Sequence, residues 1–219
     1  MRQLFANVTL LCASMLLALN VYAADPDPAD AEAVVRNTTN HVLAELKSSS
    51  NQKVYKLVKE AVRHNFNFSK MSRLVLEENW DNATRRQQKR FAKAFRNLLV
   101  CTYANALAEA AGKVSRITYS TEANDPNNPE NPKKAIVFAK VYQFGKSQPL
   151  KVDYAMSYRR SKKDKKKGKP GKWKVYNVTV AGVSLVTNYR TKFAQDIKKK
   201  GINRLIRKIK KQNKKCKKK

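Results

Sequence analysis

The chain has 219 residues, of which 47 are Lys or Arg and 16 are Asp or Glu, a formal net charge of +31. With 42% hydrophobic residues, eight Phe, nine Tyr and two Trp but only six Gly, it can bury a core the size of one domain. Disorder throughout is therefore excluded, as are collagen-like, disulfide-dense and multi-pass membrane classes, and so high a charge on a compact fold favours an anionic partner such as nucleic acid, lipid head groups or an acidic envelope surface.

Met1-Arg2 is a short positive start, Leu4 to Val21 is largely apolar, and Val21 and Ala23 place small residues at −3 and −1 of a cleavage site. Residues 1–23 thus read as a signal peptide, with secretion as the outcome. A membrane-spanning helix is the other reading of such a run, but about 20 apolar residues are needed to span a bilayer, and Asn7, Ser14 and Asn20 interrupt this one. Cys12 follows Leu11 rather than the small residue that lipoprotein processing requires.

Asp25 to Asp30 is an acidic, proline-containing entry to a helix carrying Val35, Val42, Leu43 and Leu46 on one face, and Ser48 to Asn51 ends it. A short helix follows around Val54, Leu57, Val58, Ala61 and Val62, then a third around Met71, Leu74 and Val75. Thr84 with Gln87 forms a capping box for the longest helix, which carries Phe91, Phe95, Leu98, Leu99 and Tyr103 and stops near Gly112. From there the period changes from 3.6 to 2. Four strands are predicted, around Ile117 and Tyr119, over 136–142, over 150–158 and over 173–180, joined by short turn-rich connections that imply an antiparallel sheet. Ala181-Gly182 opens a helix with Val186, Tyr189, Phe193 and Ile197, Ser184 is its N-cap, Gly201 stops it, and Ile202, Leu205, Ile206 and Ile209 begin a last amphipathic helix. The expected architecture is one α+β domain over 24–209, a twisted antiparallel sheet of about four strands with helices packed on one face.

The charge is uneven. Residues 24–123 hold 16 basic and 11 acidic side chains, whereas 124–219 hold 30 and 5. Two runs dominate: 159–172, read as an exposed hairpin loop, and a tail over 210–219 with seven lysines, read as frayed. Cys101 lies in an apolar helical pattern and Cys216 in the lysine tail; they read as two free thiols, with a disulfide as the alternative in an oxidising compartment.

Catalytic signals are scarce. His41 and His64 sit on predicted helices without neighbouring ligands at metal spacing, Gly182-Val183-Ser184 lacks the second Gly of a nucleophile elbow, and Lys169-Pro170-Gly171-Lys172 lacks the flanks of a phosphate-binding loop. No enzyme activity, metal or cofactor is expected.

Three blocks near the C-terminus do carry information: Trp173-Lys-Val-Tyr-Asn-Val178, Gly182-Val-Ser-Leu-Val186 with Asn188-Tyr189-Arg190 and Phe193, and Gly201-Ile202 with Leu205-Ile206. Upstream stand Phe66-Asn67-Phe68 with Met71, Arg73 and Val75-Leu76, then Trp80 with Ala83-Thr84, and the Phe91, Phe95, Leu98-Leu99, Tyr103 series. In order and spacing these resemble the MlaC family, also called toluene-tolerance Ttg2 proteins, from about residue 28 to 209. Asn67, Asn177 and Asn203 stand where the family commonly has Asp, and Glu77 replaces a frequent Gly. The Lys-rich loop and tail exceed the family pattern.

The resemblance implies a periplasmic carrier that shuttles glycerophospholipid between the outer membrane and an inner-membrane ABC transporter and so maintains outer-membrane lipid asymmetry. Its implied partners are a MlaFEDB-like transporter complex, a MlaA-like outer-membrane lipoprotein with porin, and a transient membrane contact, with the carrier as a monomer and no specific nucleic acid. Two acyl chains in water need an apolar enclosure of several hundred Å³, since each buried methylene is worth roughly 0.8 kcal/mol. Candidate lining residues are Val137, Val141, Val152, Tyr154, Met156, Tyr158 and Val178 on the strands and Phe91, Phe95, Leu98, Val186, Tyr189 and Phe193 on helices facing them, although cavity wall and ordinary core look alike in sequence. Arg190 is the candidate head-group contact, with a surface salt bridge as its other reading. The competing function is a secreted binder of nucleic acid or acidic polysaccharide; it rests on the net charge, but the basic runs have no interleaved aromatics or base-reading element.

Overall fold

The computed structural model describes residues 26–48, 51–130 and 132–216. The expected signal peptide lies outside them. Helices α1 (Pro28–Ser48), α2 (Asn51–Asn65), α3 (Phe68–Leu76), α4 (Glu78–Asp81) and α5 (Arg85–Ala111) come first. The capping box of α5 is formed: Gln87 N donates to Thr84 Oγ1 at 3.2 Å and Thr84 N to Gln87 Oε1 at 2.8 Å.

Strands β1 (Val114–Ala123), β2 (Lys134–Gln143), β3 (Leu150–Arg159), β4 (Lys172–Val180) and β5 (Val183–Ser184) follow, with α6 (Lys162–Lys166) between β3 and β4. They form an antiparallel meander in the order β1-β2-β3-β4-β5. The basic hairpin loop is exposed as expected, but it contains one turn of helix capped by Ser161. The expected helix start at Ala181-Gly182 is corrected. Both residues hold positive φ, 48° and 83°, and make the two-residue turn between β4 and β5, the backbone form that matches strand twist in tight hairpins.

Helix α7 (Leu185–Cys216) bends at Gly201, where φ 68° and ψ 164° break the helical path, so the expected stop is a kink between two helical segments. Lys208 Nζ reaches back across it to Asp196 Oδ2 at 2.7 Å. Ser184 acts as the N-cap, accepting from Thr187 N at 3.2 Å.

Two further expectations fail. The segment after Ile209 is helical to Cys216 rather than frayed, because Asn213 is buried and its Nδ2 donates to Ala94 O of α5 at 2.9 Å. Cys101 is disulfide-bonded, not a free thiol. No helix among the described residues is long and apolar enough to cross a membrane.

Among the described residues the core divides in three. One cluster lies among α3, α4, α5 and α7, with Met71, Trp80, Phe91, Phe95, Phe193, Leu205 and Ile206; a second lies between the sheet and α1, with Ala31, Val35, Val137, Val152, Met156, Trp173 and Val175; a third joins α1, α2 and α5 through Leu46, Val54, Val58, Val100 and Ala104. The helix covering the sheet is therefore α1, whereas α5 rests on α2, α3 and α7.

Candidate functional site: a cleft between α3 and the sheet

The start of α3 is pinned to the sheet. Phe66 bridges Val175 in parallel, Asn67 N donates to Val175 O at 2.8 Å, and the Asn67 side chain caps the helix by accepting from Lys70 N at 3.0 Å. Opposite it, Lys134 pairs with Ser157, and Tyr158 N donates to Lys133 O at 2.8 Å, which fixes the start of β2 against the end of β3. Between these elements lies a cleft of about 730 Å³.

Asn67, Ser69, Lys70, Arg73, Leu74, Glu77, Trp80 and Asp81 form its helical wall, Lys133, Lys134, Ser157, Tyr158 and Arg159 its sheet wall, and Arg190 reaches it from α7. Six cations thus face two carboxylates, and the N-terminal end of α3 adds its positive dipole. Several of these cations are committed. Arg73 pairs with Asp81 at 3.6 Å, and Lys134 with Asp125 at 2.9 Å. The Lys134 hydrogen bond, helped by the Lys133 amide, holds the Asp125 carboxyl below the usual range. Lys70 Nζ lies 3.6 Å from the centroid of the Tyr176 ring, and burial lowers its pKa, with Lys134 acting in the same direction. Among the described residues, the side chains of Lys133 and Arg159 enter no ion pair.

Arg190 lines the cleft, but its guanidinium is already engaged. Nε and Nη2 donate to Leu74 O at 3.1 and 3.0 Å, and Nη1 pairs with Glu77 Oε1 at 3.1 Å. It ties α7 to the end of α3 and so fixes the wall of the cleft.

Tyr158 is where the cleft meets the sheet cluster. Its hydroxyl accepts from Gly171 N at 2.7 Å and its ring lies edge-on to Trp173 at 5.7 Å. A Cβ on Gly171 would fall 2.5 Å from that ring, so only glycine permits the approach. Behind Tyr158, the expected strand residues share one face: Val137, Val152, Met156 and Val178 are buried, and Val141 and Tyr154 pack against them. Burial pushes the Tyr154 phenol up to about 12, with Tyr119 adding to the effect and a hydrogen bond with Thr39 opposing it. Trp173 Nε1 is buried there without a hydrogen-bond partner among the described residues.

The helical candidates lie elsewhere. Phe91, Phe95, Leu98, Val186, Tyr189 and Phe193 all belong to the helix cluster, with Phe95 and Tyr189 rings 5.1 Å apart and Tyr189 and Phe193 rings 5.4 Å apart. The expectation that they face the strands is corrected: α1 occupies that face, and the aromatic series of α5 meets α3 and α7 instead. Lys70, Arg73, Lys133, Lys134 and Arg159 were not singled out from sequence. In a chain with 47 basic residues, a single cation carries no positional signal.

A family model described as MlaC protein matches residues 36–211. Among solved structures, the chain is similar to a phospholipid-binding protein from Ralstonia solanacearum determined in complex with a phospholipid. The similarity has a TM-score of 0.66 and 26% identity, and it covers 85% of this chain and 98% of that one. No curated protein matches the chain.

Proposed function

Because the chain belongs to the MlaC family, we propose that it is an exported phospholipid carrier, with residues 1–23 as the export signal and the periplasm as its compartment. The observation that carries the reading is the cleft, which is cationic at its walls and touches, at Tyr158, the apolar cluster on the sheet face. The lipid phosphate is received by Lys133 and Arg159, with Lys70 behind them. The acyl chains lie along Val137, Val152, Tyr154, Met156 and Val178 between the sheet and α1, where the unpaired Trp173 Nε1 can donate to an ester carbonyl. Arg190 acts as a brace for the wall rather than as the head-group contact. Binding and release of lipid are the task this reading assigns to the cleft. A MlaA-like lipoprotein with porin supplies or accepts the lipid at the outer membrane, and a MlaFEDB-like transporter does so at the inner membrane and provides the energy.

Native mass spectrometry and solvent extraction of the purified, untagged mature protein test this. The expected result is co-purifying glycerophospholipid near one per chain, retained at high salt because an enclosed lipid is not held by counterion release, as a polyanion would be. Absence of bound lipid together with no uptake from vesicles overturns the reading. In the double variant Lys133→Glu/Arg159→Glu, lipid occupancy should fall several-fold while the fold persists, since both side chains are exposed.

A further inference from the structure

Of the four large apolar side chains that face water among the described residues, three stand at the end of the sheet away from the cleft and the fourth, Leu107, is on α5. Phe144 is 71% exposed in the turn after β2, Leu150 36% exposed at the start of β3, and Val183 58% exposed in β5. The register puts them together. Val141 pairs with Leu150, Val152 with Val180 and Val180 with Val183, and Ala181 N donates to Lys151 O at 2.9 Å, so the β2–β3 and β4–β5 turns project from the same edge. Leu150 and Val183 continue the sheet face that carries Val152 and Val180, at the rim of the cluster under α1.

The tip is held rigidly. Gly145 takes φ 72° directly after Phe144, and Phe144 N donates to Lys113 O at 2.9 Å, anchoring the turn to the junction of α5 and β1. Exposed cations surround it: Lys146 within the turn, Lys140 and Lys151 opposite each other on β2 and β3, and Lys113 and Arg116 at the start of β1. Against them stands Glu109, which Lys113 already pairs at 2.8 Å.

We propose that this tip is a membrane-docking surface, with Phe144, Leu150 and Val183 entering the interface of an anionic bilayer and the surrounding lysines lying on its head groups. An aromatic and two aliphatic groups on rigid turns inside a cationic collar match an acidic lipid surface on both counts, apolar depth and charge. The proposal goes beyond the carrier reading, because it concerns where the protein meets the membrane and does not require a bound lipid.

Co-sedimentation of the full mature protein with vesicles of phosphatidylglycerol and phosphatidylcholine, against pure phosphatidylcholine, tests it at low salt. The wild type should bind the anionic vesicles. Phe144→Asp, at a position too exposed to endanger folding, should weaken partitioning roughly tenfold or more. Lys146→Glu with Lys151→Glu should reduce the preference for phosphatidylglycerol, and Phe144→Trp should show added blue-shifted emission on anionic vesicles relative to the wild type. Absence of vesicle binding overturns the proposal, as does unchanged binding by Phe144→Asp. Concentration-dependent self-association lost in Phe144→Asp would assign the patch to a second copy of the chain and overturn it equally. Lipid extracted from Phe144→Asp at the wild-type level keeps either failure separate from that of the carrier reading.

Discussion

Glu77 holds φ 46° and ψ −127°, in the region that favours glycine, at the joint between α3 and α4. Its compensation is the exposed pair with Arg190. Backbone strain of this kind costs on the order of 1–3 kcal/mol, and an exposed pair returns about 0–1 kcal/mol. Glu77→Gly should therefore raise stability by about 0.5–1 kcal/mol after the added backbone entropy of glycine is subtracted, read as a higher denaturation midpoint at unchanged m-value. Asn177 ties β4 to the start of a helix. Its Oδ1 accepts from Val186 N at 3.1 Å and Ser184 Oγ at 3.2 Å, so one oxygen still serves the start of α7. Asn177→Asp would place a charge at that helix end and should stabilise by roughly 0.3–1 kcal/mol, diminishing with salt. Tyr154 supplies a pH signature. Burial favours its neutral form, so its contribution is intact below the ordinary phenol value near 10 and is lost as pH rises through about 12. Across pH 10–12 the wild type should lose more stability than Tyr154→Phe, measured by chemical denaturation at each pH.

At the scale of elements, the last two turns of α7 belong to the fold. Deleting the residues after Ile209 removes the buried Asn213 and its bond to Ala94 O, and should lower stability by about 1–3 kcal/mol, seen as a lower thermal midpoint. Strand and helix periods were legible because each element buries one face: the alternation of Val152, Tyr154 and Met156 and the capping box at Thr84 both appear where the pattern put them. The end of α7 was not legible. A run of lysines around one Asn looks solvated, and only the position of α5 gives that Asn a partner. Ala181-Gly182 was misread for a related reason, since Gly before an apolar helical period signals a helix start as readily as a hairpin turn. Of the candidate site residues singled out from sequence only Tyr158 and Arg190 line the cleft. That the strand residues share one face was legible because a period of 2 gives faces directly, whereas which helix covers that face depends on chain path, and period alone does not separate α1 from α5. The cationic wall draws residues from α3, β2, β3 and α7, and no sequence spacing brings those together.

For the whole molecule, the formal charge of +31 acts against compaction. Exposed like charges are screened over a Debye length of about 10 Å at 0.1 M salt. Raising salt from low to moderate concentration should therefore raise the thermal midpoint, the reverse of what a fold held by surface ion pairs would do, and calorimetry across a salt series reads this directly. The meander has a kinetic consequence. Every strand's neighbour in the sheet is its neighbour in the chain, so the whole sheet can zip from successive hairpins with short loop closures. The sequence-distant contacts of the sheet come mainly from α1 settling on it and from the bridge between Phe66 and Val175, while α7 closes at long range on α3 and α5. The segment that roofs the sheet is thus made of residues with a long reach to their partners, and refolding should show strand signal arriving before the burial of Ala31 and Val35 on it.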